Sequence, residues 1–359
     1  MTIYYMMILS TYLLSLVSRI AKEKKRILIS MFYTLLVAFI LIIISGLRKS
    51  GGDTYFYIHS YNLLVQDRSS MAIDKDIGFS ILSLLLTYIS SNPQILLFTT
   101  SLITHLSNII IFNKYISYME VEVFLYITSG YFFTAMNGVR QCLAAALIFL
   151  STRLLIDGKF KLYFISILLI STIHESALIM IPIYFIVRNE AWSRKIIIMI
   201  LLSVIFVIGY DKVSIILFGV LENTQYGHYS EFNEGGSSLI RTIVNMVPVF
   251  LAYIKRKELK EKWNESSIFV NISIINLIFT AMSMNNWIFN RFTLYFQLYN
   301  FVLIPCMVKK CFDGKERRLI YIGVIFCYSI FFYREQIIGV GTPYTTDYLK
   351  FNKIFYKLK

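Results

Sequence analysis

ILISMFYTLLVAFILIIIS, Ile27 to Ser45, followed at once by GLRKSGGDT, Gly46 to Thr54, is the stretch whose reading decides the fold. The first part is an uncharged apolar run of the length that crosses a hydrocarbon layer of about 30 Å as a helix. The second part breaks it with three glycines within seven residues, an Arg directly after the helix, and an Asp-Thr pair leading to Tyr57 and Tyr61. Such a junction is either a hydrogen-bond-rich functional loop at a membrane face or a helix exit with an interfacial Arg and an aromatic belt.

Working outward, similar apolar runs recur along the whole chain. Of 359 residues 57% are hydrophobic and only 16% charged, and the mean hydropathy is +0.64, too little polar material to cover a soluble globule. The runs are continuous and not alternating, which excludes an outer-membrane barrel and predicts an all-α polytopic membrane protein. About ten transmembrane helices are expected, with re-entrant or interfacial half-helices. Residues 1–359 read as a single integral-membrane domain with external loops at about 46–76 and 210–238. The first run, Ile3 to Val17, has no basic segment before it and no small-x-small site after it, and is expected to stay as the first span.

The net charge of +14 would suit nucleic acid, but its distribution argues otherwise. Five short clusters, Arg19 to Arg26, Arg153 to Lys161, Arg188 to Lys195, Lys255 to Lys262 and Lys309 to Arg318, hold 21 of the 35 Lys and Arg. These are cytoplasmic loops by the positive-inside bias, and no nucleic-acid partner is expected. Cys142, Cys306, Cys311 and Cys327 lie in or beside apolar runs without a Cys-x-x-Cys pair and read as free, buried thiols.

With those clusters on one side, parity places the loop carrying Arg48 and Asp53 outside. Ile77 to Ser90 is too short for a simple span and is expected in the interface or re-entering. Gln94 to Phe112 crosses inward, Asn113 to Glu122 turns in the cytoplasm, and Val123 to Ala135 rises to Asn137-Gly138-Val139-Arg140-Gln141, from which Cys142 to Ser151 descends. Leu162 to Val187 has basic flanks at both ends, so two half-helices meeting near Thr172 to Ser176 are expected. The acidic residues Asp211, Glu222, Glu231 and Glu234 mark an external loop to Ser238, and Arg241 and Arg291 are expected at external helix starts. The tail falls outside by parity, against its basic Lys350, Lys353, Lys357 and Lys359.

Parity thus gathers Arg48, Arg140, Arg241 and Arg291 on one face, where planar, permanently charged guanidiniums and helix N-termini suit a polyanion. Each Arg can equally anchor a helix end among lipid phosphates. That alternative is weaker for Arg140, which lies in an apolar hairpin where charge is expensive, next to Ala144-Ala145-Ala146 that permits close helix packing. His174, with Glu175, is apt as a general base or as a satisfied structural histidine; Leu178 stands where a zinc-protease helix needs its second His. Asp74-Lys75-Asp76 imitates a paired-Asp metal signature but reads as an N-cap. No metal, cofactor or nucleotide site is expected.

The order Gly-Leu-Arg (46–48), Gly-Asp-Thr (52–54) and Tyr, then Gly-Val-Arg-Gln-x-Leu-Ala (138–144), Ile-His-Glu-Ser-Ala-Leu (173–178) and Asn-Arg-Phe (290–292) resembles the EpsG-type, Wzy-like bacterial polysaccharide polymerases. The similarity runs from about Gly46 to Pro305. It implies a GT-C-like membrane glycosyltransferase of the bacterial inner membrane, working at the external face in O-antigen, capsule or exopolysaccharide assembly. Its substrates are undecaprenyl-diphosphate-linked repeat units, and its partners are membrane lipid and a chain-length regulator. Arg48, Asp53, Arg140, Gln141, His174 and Arg291 fall on the family's motif positions: Arg48, Arg140, Gln141 and Arg291 are expected to bind the diphosphate, and His174 and Asp53 to serve catalysis. An O-antigen-ligase-like enzyme and a lipid-linked oligosaccharide flippase or transporter are the rival readings; the lack of an internal repeat lowers the latter.

Overall fold

The computed structural model describes residues 2–71, 75–115, 118–210, 236–341 and 344–348. Among these residues the chain is helical, without strands. They cluster into two compact units: Met1–Leu154 with Lys161–Leu178 and Asp313–Lys359, and Leu155–Phe160 with Ile179–Phe312. Asp74, residues 211–235 of the acidic loop and the Lys-rich tail from Lys350 lie outside the described residues.

The first unit opens with α1 (Thr2–Glu23) and α2 (Ile27–Gly46), which pack together. Their seam is small and hydroxylic: the Ser18 hydroxyl meets the Ser30 carbonyl at 2.9 Å and the Thr34 hydroxyl at 2.8 Å. Interhelical bonds of this kind contribute about 0.6 to 2 kcal/mol each in an apolar medium and let backbones approach. The opposite face of α2 carries exposed Leu28, Phe32, Leu35 and Phe39, as a lipid-facing surface requires.

The loop from Leu47 leads to α3 (Thr54–Gln66), a helix inside the stretch read from sequence as an external loop. It forms because Tyr57, Tyr61 and Val65 recur at helical spacing and bury one face against Phe79, Leu86, Leu96, Val139 and Leu143. After it come α4 (Ile77–Thr87) and α5 (Gln94–Lys114). At 11 residues α4 spans only about 16 Å, short of a crossing, as expected.

The core of the unit is a broken rod: α6 (Met119–Thr128), α7 (Tyr131–Asn137) and α8 (Val139–Leu150), interrupted at Gly130 and Gly138. Gly130 sits at φ +89°, and a Cβ there would lie 2.3 Å from the Gln336 amide nitrogen, so only glycine fits. The cytoplasmic turn expected through Glu122 is shorter than that. Glu120 and Glu122 belong to α6 and are fully buried, and both Glu120 oxygens take the Arg19 Nε hydrogen bond at 2.9 and 3.1 Å. Buried carboxylates persist where a cation and donors neutralise them.

Short α9 (Thr152–Ile156) leads to α10 (Phe160–Ser171), and the helix breaks at Thr172–His174, where two half-helices were expected to meet. A 3₁₀ turn follows at Glu175–Ile179. The unit ends with the helix Gly314–Phe332, which continues as a π-helix over Tyr333–Val340. Beyond it Thr345 and Thr346 bond to the first loop: Lys49 N donates to the Thr345 carbonyl at 2.9 Å and the Thr346 hydroxyl to the Leu47 carbonyl at 2.6 Å. Tyr344–Tyr348 therefore lies against the Leu47–Ser50 loop, with which parity had grouped the tail on one face. Among the described residues four helices, α1, α2, α5 and Gly314–Val340, are long and apolar enough to cross a membrane, and six shorter ones are apolar.

In the second unit Ser266–Met282 packs against Arg194–Ile208, Leu239–Ile254, Ile288–Thr293 and Gln297–Cys311. Asn245 Oδ1 accepts from Asn276 at 2.8 Å and from Asn300 at 3.3 Å inside it. Arg291 was expected to open a helix; it lies in the last turn of the short helix Ile288–Thr293 instead, because the chain makes that extra turn before Gln297. The cysteines are free, and Cys327 is exposed on the last long helix, not buried.

Candidate active site

The first unit brings four sequence motifs together. Arg48 ends the exit of α2 and is 1% exposed. Its Nη1 donates to the Ser45 carbonyl and its Nη2 to the Met136 carbonyl, both at 2.6 Å, and its Nε donates to the Thr54 hydroxyl at 3.0 Å. The guanidinium expected to meet a diphosphate is thereby a fastener joining the α2 exit, the α3 start and the end of α7. Beside it, Asn137 Oδ1 accepts from Asp53 N at 2.7 Å, over Gly52 at φ +48°. A Cβ on Gly52 would stand 2.0 Å from that oxygen, which accounts for the glycine. The Asp53 carboxylate makes no capping bond and is exposed.

The second cluster centres on Asp76, the residue before α4. Sequence reading made it an N-cap, yet its side chain caps nothing. Its backbone at φ +52° takes a left-handed turn that Asp tolerates better than most residues. The backbone carbonyl accepts from Phe79 N and Ser80 N, which leaves the carboxylate free to reach other segments. Asp76 Oδ2 accepts from Arg140 Nη1 at 2.8 Å and lies 3.1 Å from His174 Nδ1, and Oδ1 accepts from Glu175 N at 3.1 Å. Gly78 N donates to the Thr172 carbonyl at 2.7 Å, and a Cβ on Gly78 would stand 2.2 Å from the Thr172 hydroxyl. The helix break and the start of α4 thus sit in direct backbone contact, which fixes His174 beside Asp76.

Exposure is graded across the cluster: the side chains of Asp76, His174 and Arg140 are 7%, 15% and 43% exposed. Burial raises the Asp76 carboxyl, but the hydrogen bond from His174, the charges of His174 and Arg140 and the Glu175 N–H outweigh it and hold the group below the usual carboxylate range. A carboxylate only accepts, so the hydrogen on this contact belongs to His174 Nδ1, and in the neutral imidazole Nε2 then carries the lone pair. Gln141, one residue after Arg140 on α8, donates from Nε2 to the Ser176 hydroxyl at 3.4 Å. Burial also raises the Tyr57 phenol, against the pull of Arg140, keeping it a neutral hydroxyl beside the guanidinium.

Of the sequence-predicted site residues, Arg140, Gln141 and His174 therefore meet, and Arg48 and Asp53 lie on the adjoining loop. Arg291 is in the second unit, its guanidinium 4.9 Å from the Trp287 ring centre. Asp76 and Asn137 were missed. The signal for Asp76 was Gly78: a glycine in the first turn of an apolar helix marks a close approach by another segment. Among the described residues no group of three or more His, Cys, Asp or Glu side chains is arranged to hold a metal ion.

No curated protein and no solved structure matches the chain. The model of the EpsG family matches residues 31–346, a span that contains the α2 exit, the Asp76 turn, the α7–α8 junction and the break at His174. With a match over most of its length, the chain belongs to the EpsG family, a family of Wzy-like polymerases.

Proposed function

We propose that the chain is a polysaccharide polymerase: a glycosyltransferase that joins undecaprenyl-diphosphate-linked repeat units at the outer face of the bacterial cytoplasmic membrane, which it crosses about ten times. The observation that carries this reading is the convergence of Arg140, Asp76 and His174 on one carboxylate oxygen from three separate segments. In the reaction an acceptor sugar hydroxyl gives its proton to His174 Nε2 while its oxygen bonds to the anomeric carbon of the donor glycan. The bond from that carbon to the diphosphate oxygen breaks, and undecaprenyl diphosphate leaves with the electron pair. His174 is the base, aimed by Asp76 as a positioning residue. Arg140, half open while tethered, neutralises the charge growing on the leaving group. Gln141 holds the helix break through Ser176, Arg48 holds the loop, and exposed Asp53 is the second candidate base. The chemistry draws on the energy of the diphosphate linkage and asks for no cofactor. A chain-length regulator remains the expected protein partner.

The test is polymerisation by purified protein in lipid nanodiscs supplied with lipid-linked repeat units. A ladder of products with a repeat-unit spacing, lost in His174→Ala, is the expected result. Transfer of preformed long chains to another acceptor, with no ladder, would identify a ligase, and movement of substrate across the bilayer without new linkages a flippase.

A further inference from the structure

We propose that a cavity of about 260 Å³ in the second unit binds the phosphate headgroup of an anionic phospholipid. The cavity is bounded by Glu190, Trp192, Arg256, Lys257, Lys260 and Ser267. It opens among the Lys255–Lys262 cluster, at the short helix Arg256–Lys262 that joins the helices Leu239–Ile254 and Ser266–Met282. Its charges do not cancel: Lys260 pairs with Glu190, which leaves Arg256 and Lys257 as net cations. Arg256 is fixed, stacked 4.5 Å over the Tyr253 ring with Nη1 donating to the Tyr253 carbonyl at 2.9 Å. Lys257 makes no hydrogen bond or ion pair among the described residues, and neither does the Ser267 hydroxyl at the start of its helix. The aromatic wall is built at a cost in backbone conformation. Trp192 sits at φ +64°, a genuine outlier for so bulky a residue, and its indole meets the Tyr253 ring edge-on at 5.0 Å.

The surface leading to the cavity points to a lipid. Along Leu239–Ile254 the residues Ile243, Met246, Val247, Phe250 and Ile254 are exposed at intervals of three or four, so one apolar stripe descends the helix and ends at Tyr253 beside Arg256. Acyl chains along that stripe would bring their phosphate to Arg256 and Lys257, with the indole and phenol at headgroup level.

The proposal is tested by native mass spectrometry of the purified protein with dioleoylphosphatidylglycerol, dioleoylphosphatidylcholine and inorganic phosphate as probes. Wild type should retain a phosphatidylglycerol adduct in preference to phosphatidylcholine. Arg256→Gln with Lys257→Gln should weaken that adduct roughly 10- to 30-fold, while removing Lys315 and Arg318 by Gln substitution should leave it intact. Because Arg256 also ties down Tyr253, Lys257→Gln alone supplies a partial loss from a side chain without a hydrogen bond or ion pair among the described residues. Equal retention by both double variants, or equal loss from both, would overturn the site. Displacement of the adduct by about 10 mM phosphate would overturn the lipid assignment in favour of a free anion.

Discussion

Replacing Asp76 by Asn preserves the shape of the side chain and removes at least one of its contacts in either orientation. Both carboxylate oxygens are acceptors: Oδ2 faces Arg140 and His174, and Oδ1 faces Glu175 N. A carboxamide has one acceptor and one donor end, so in either orientation an NH₂ must confront an N–H. If it faces Oδ1's position, the Glu175 amide loses its acceptor and the net charge that holds Arg140 disappears. If it faces His174, the imidazole must accept through Nδ1, its proton moves to Nε2, and the base is blocked. One lost charge-assisted bond in so buried a place costs about 1.5 to 3 kcal/mol, and the wrong tautomer adds to it. A loss of about 2 to 4 kcal/mol in the transition state slows polymerisation roughly 30- to 1000-fold. The assay is the nanodisc ladder reaction, run on protein whose elution and membrane level match wild type. Asp76→Asn protein that builds ladders at the normal rate would refute both the tautomer argument and the assignment of His174 as base.

Further outcomes follow from the same geometry. Arg140→Lys keeps the charge but loses the bidentate fork, and should cut polymerase activity roughly 30- to 1000-fold, whereas Arg241→Lys should act nearly like wild type; normal product from both would remove Arg140 from the active site. Because the folded pKa of Asp76 is lowered, its contribution to stability is present above about pH 4 and is lost as pH falls through the lowered value. The gap in thermal midpoint between wild type and Asp76→Asn should therefore be open above about pH 5 and close below about pH 4. With exposed Cys327 and the other native cysteines replaced, a cysteine at Ser50 should react with an impermeant thiol reagent from outside and one at Lys257 should not; labelling at Lys257 would overturn the charge-based topology. Gly78→Ala forces a Cβ into Thr172, and should lower both thermal midpoint and activity, while Gly51→Ala, with open space around its Cβ, is limited to the strain of its φ of +109°.

How far the sequence spoke depended on whether a residue's partners were local. The α2 run and its glycine-rich exit were legible because hydrophobic length and glycine content are properties of consecutive residues. So was the break near His174, where basic flanks on both sides of one span-length run favoured a hairpin of two half-helices over a single span. The tyrosines of α3 concealed a helix because Tyr57 and Tyr61 fit an interfacial belt as well as a buried face, and only their packing against Phe79 and Leu143 decides between them. Glu120 fell inside the expected cytoplasmic turn since nothing nearby in sequence announces Arg19, 101 residues away, as its neutraliser. Asp76 read as a cap for the same reason: His174 lies 98 residues on, and a left-handed backbone turn, invisible in composition, swings the carboxylate toward it.

The bonds that Lys49, Ser50 and Leu47 make with Thr345 and Thr346 span about 295 residues of chain. During synthesis the loop bearing Arg48 and Gly52 emerges early, yet the strap across it is added only after the Gly314–Phe332 helix has been inserted. Closing so long a separation is an entropic cost met late, once the intervening helices have already restricted the two ends. A nascent chain therefore holds its Arg48 loop without this backing until translation has passed Thr346.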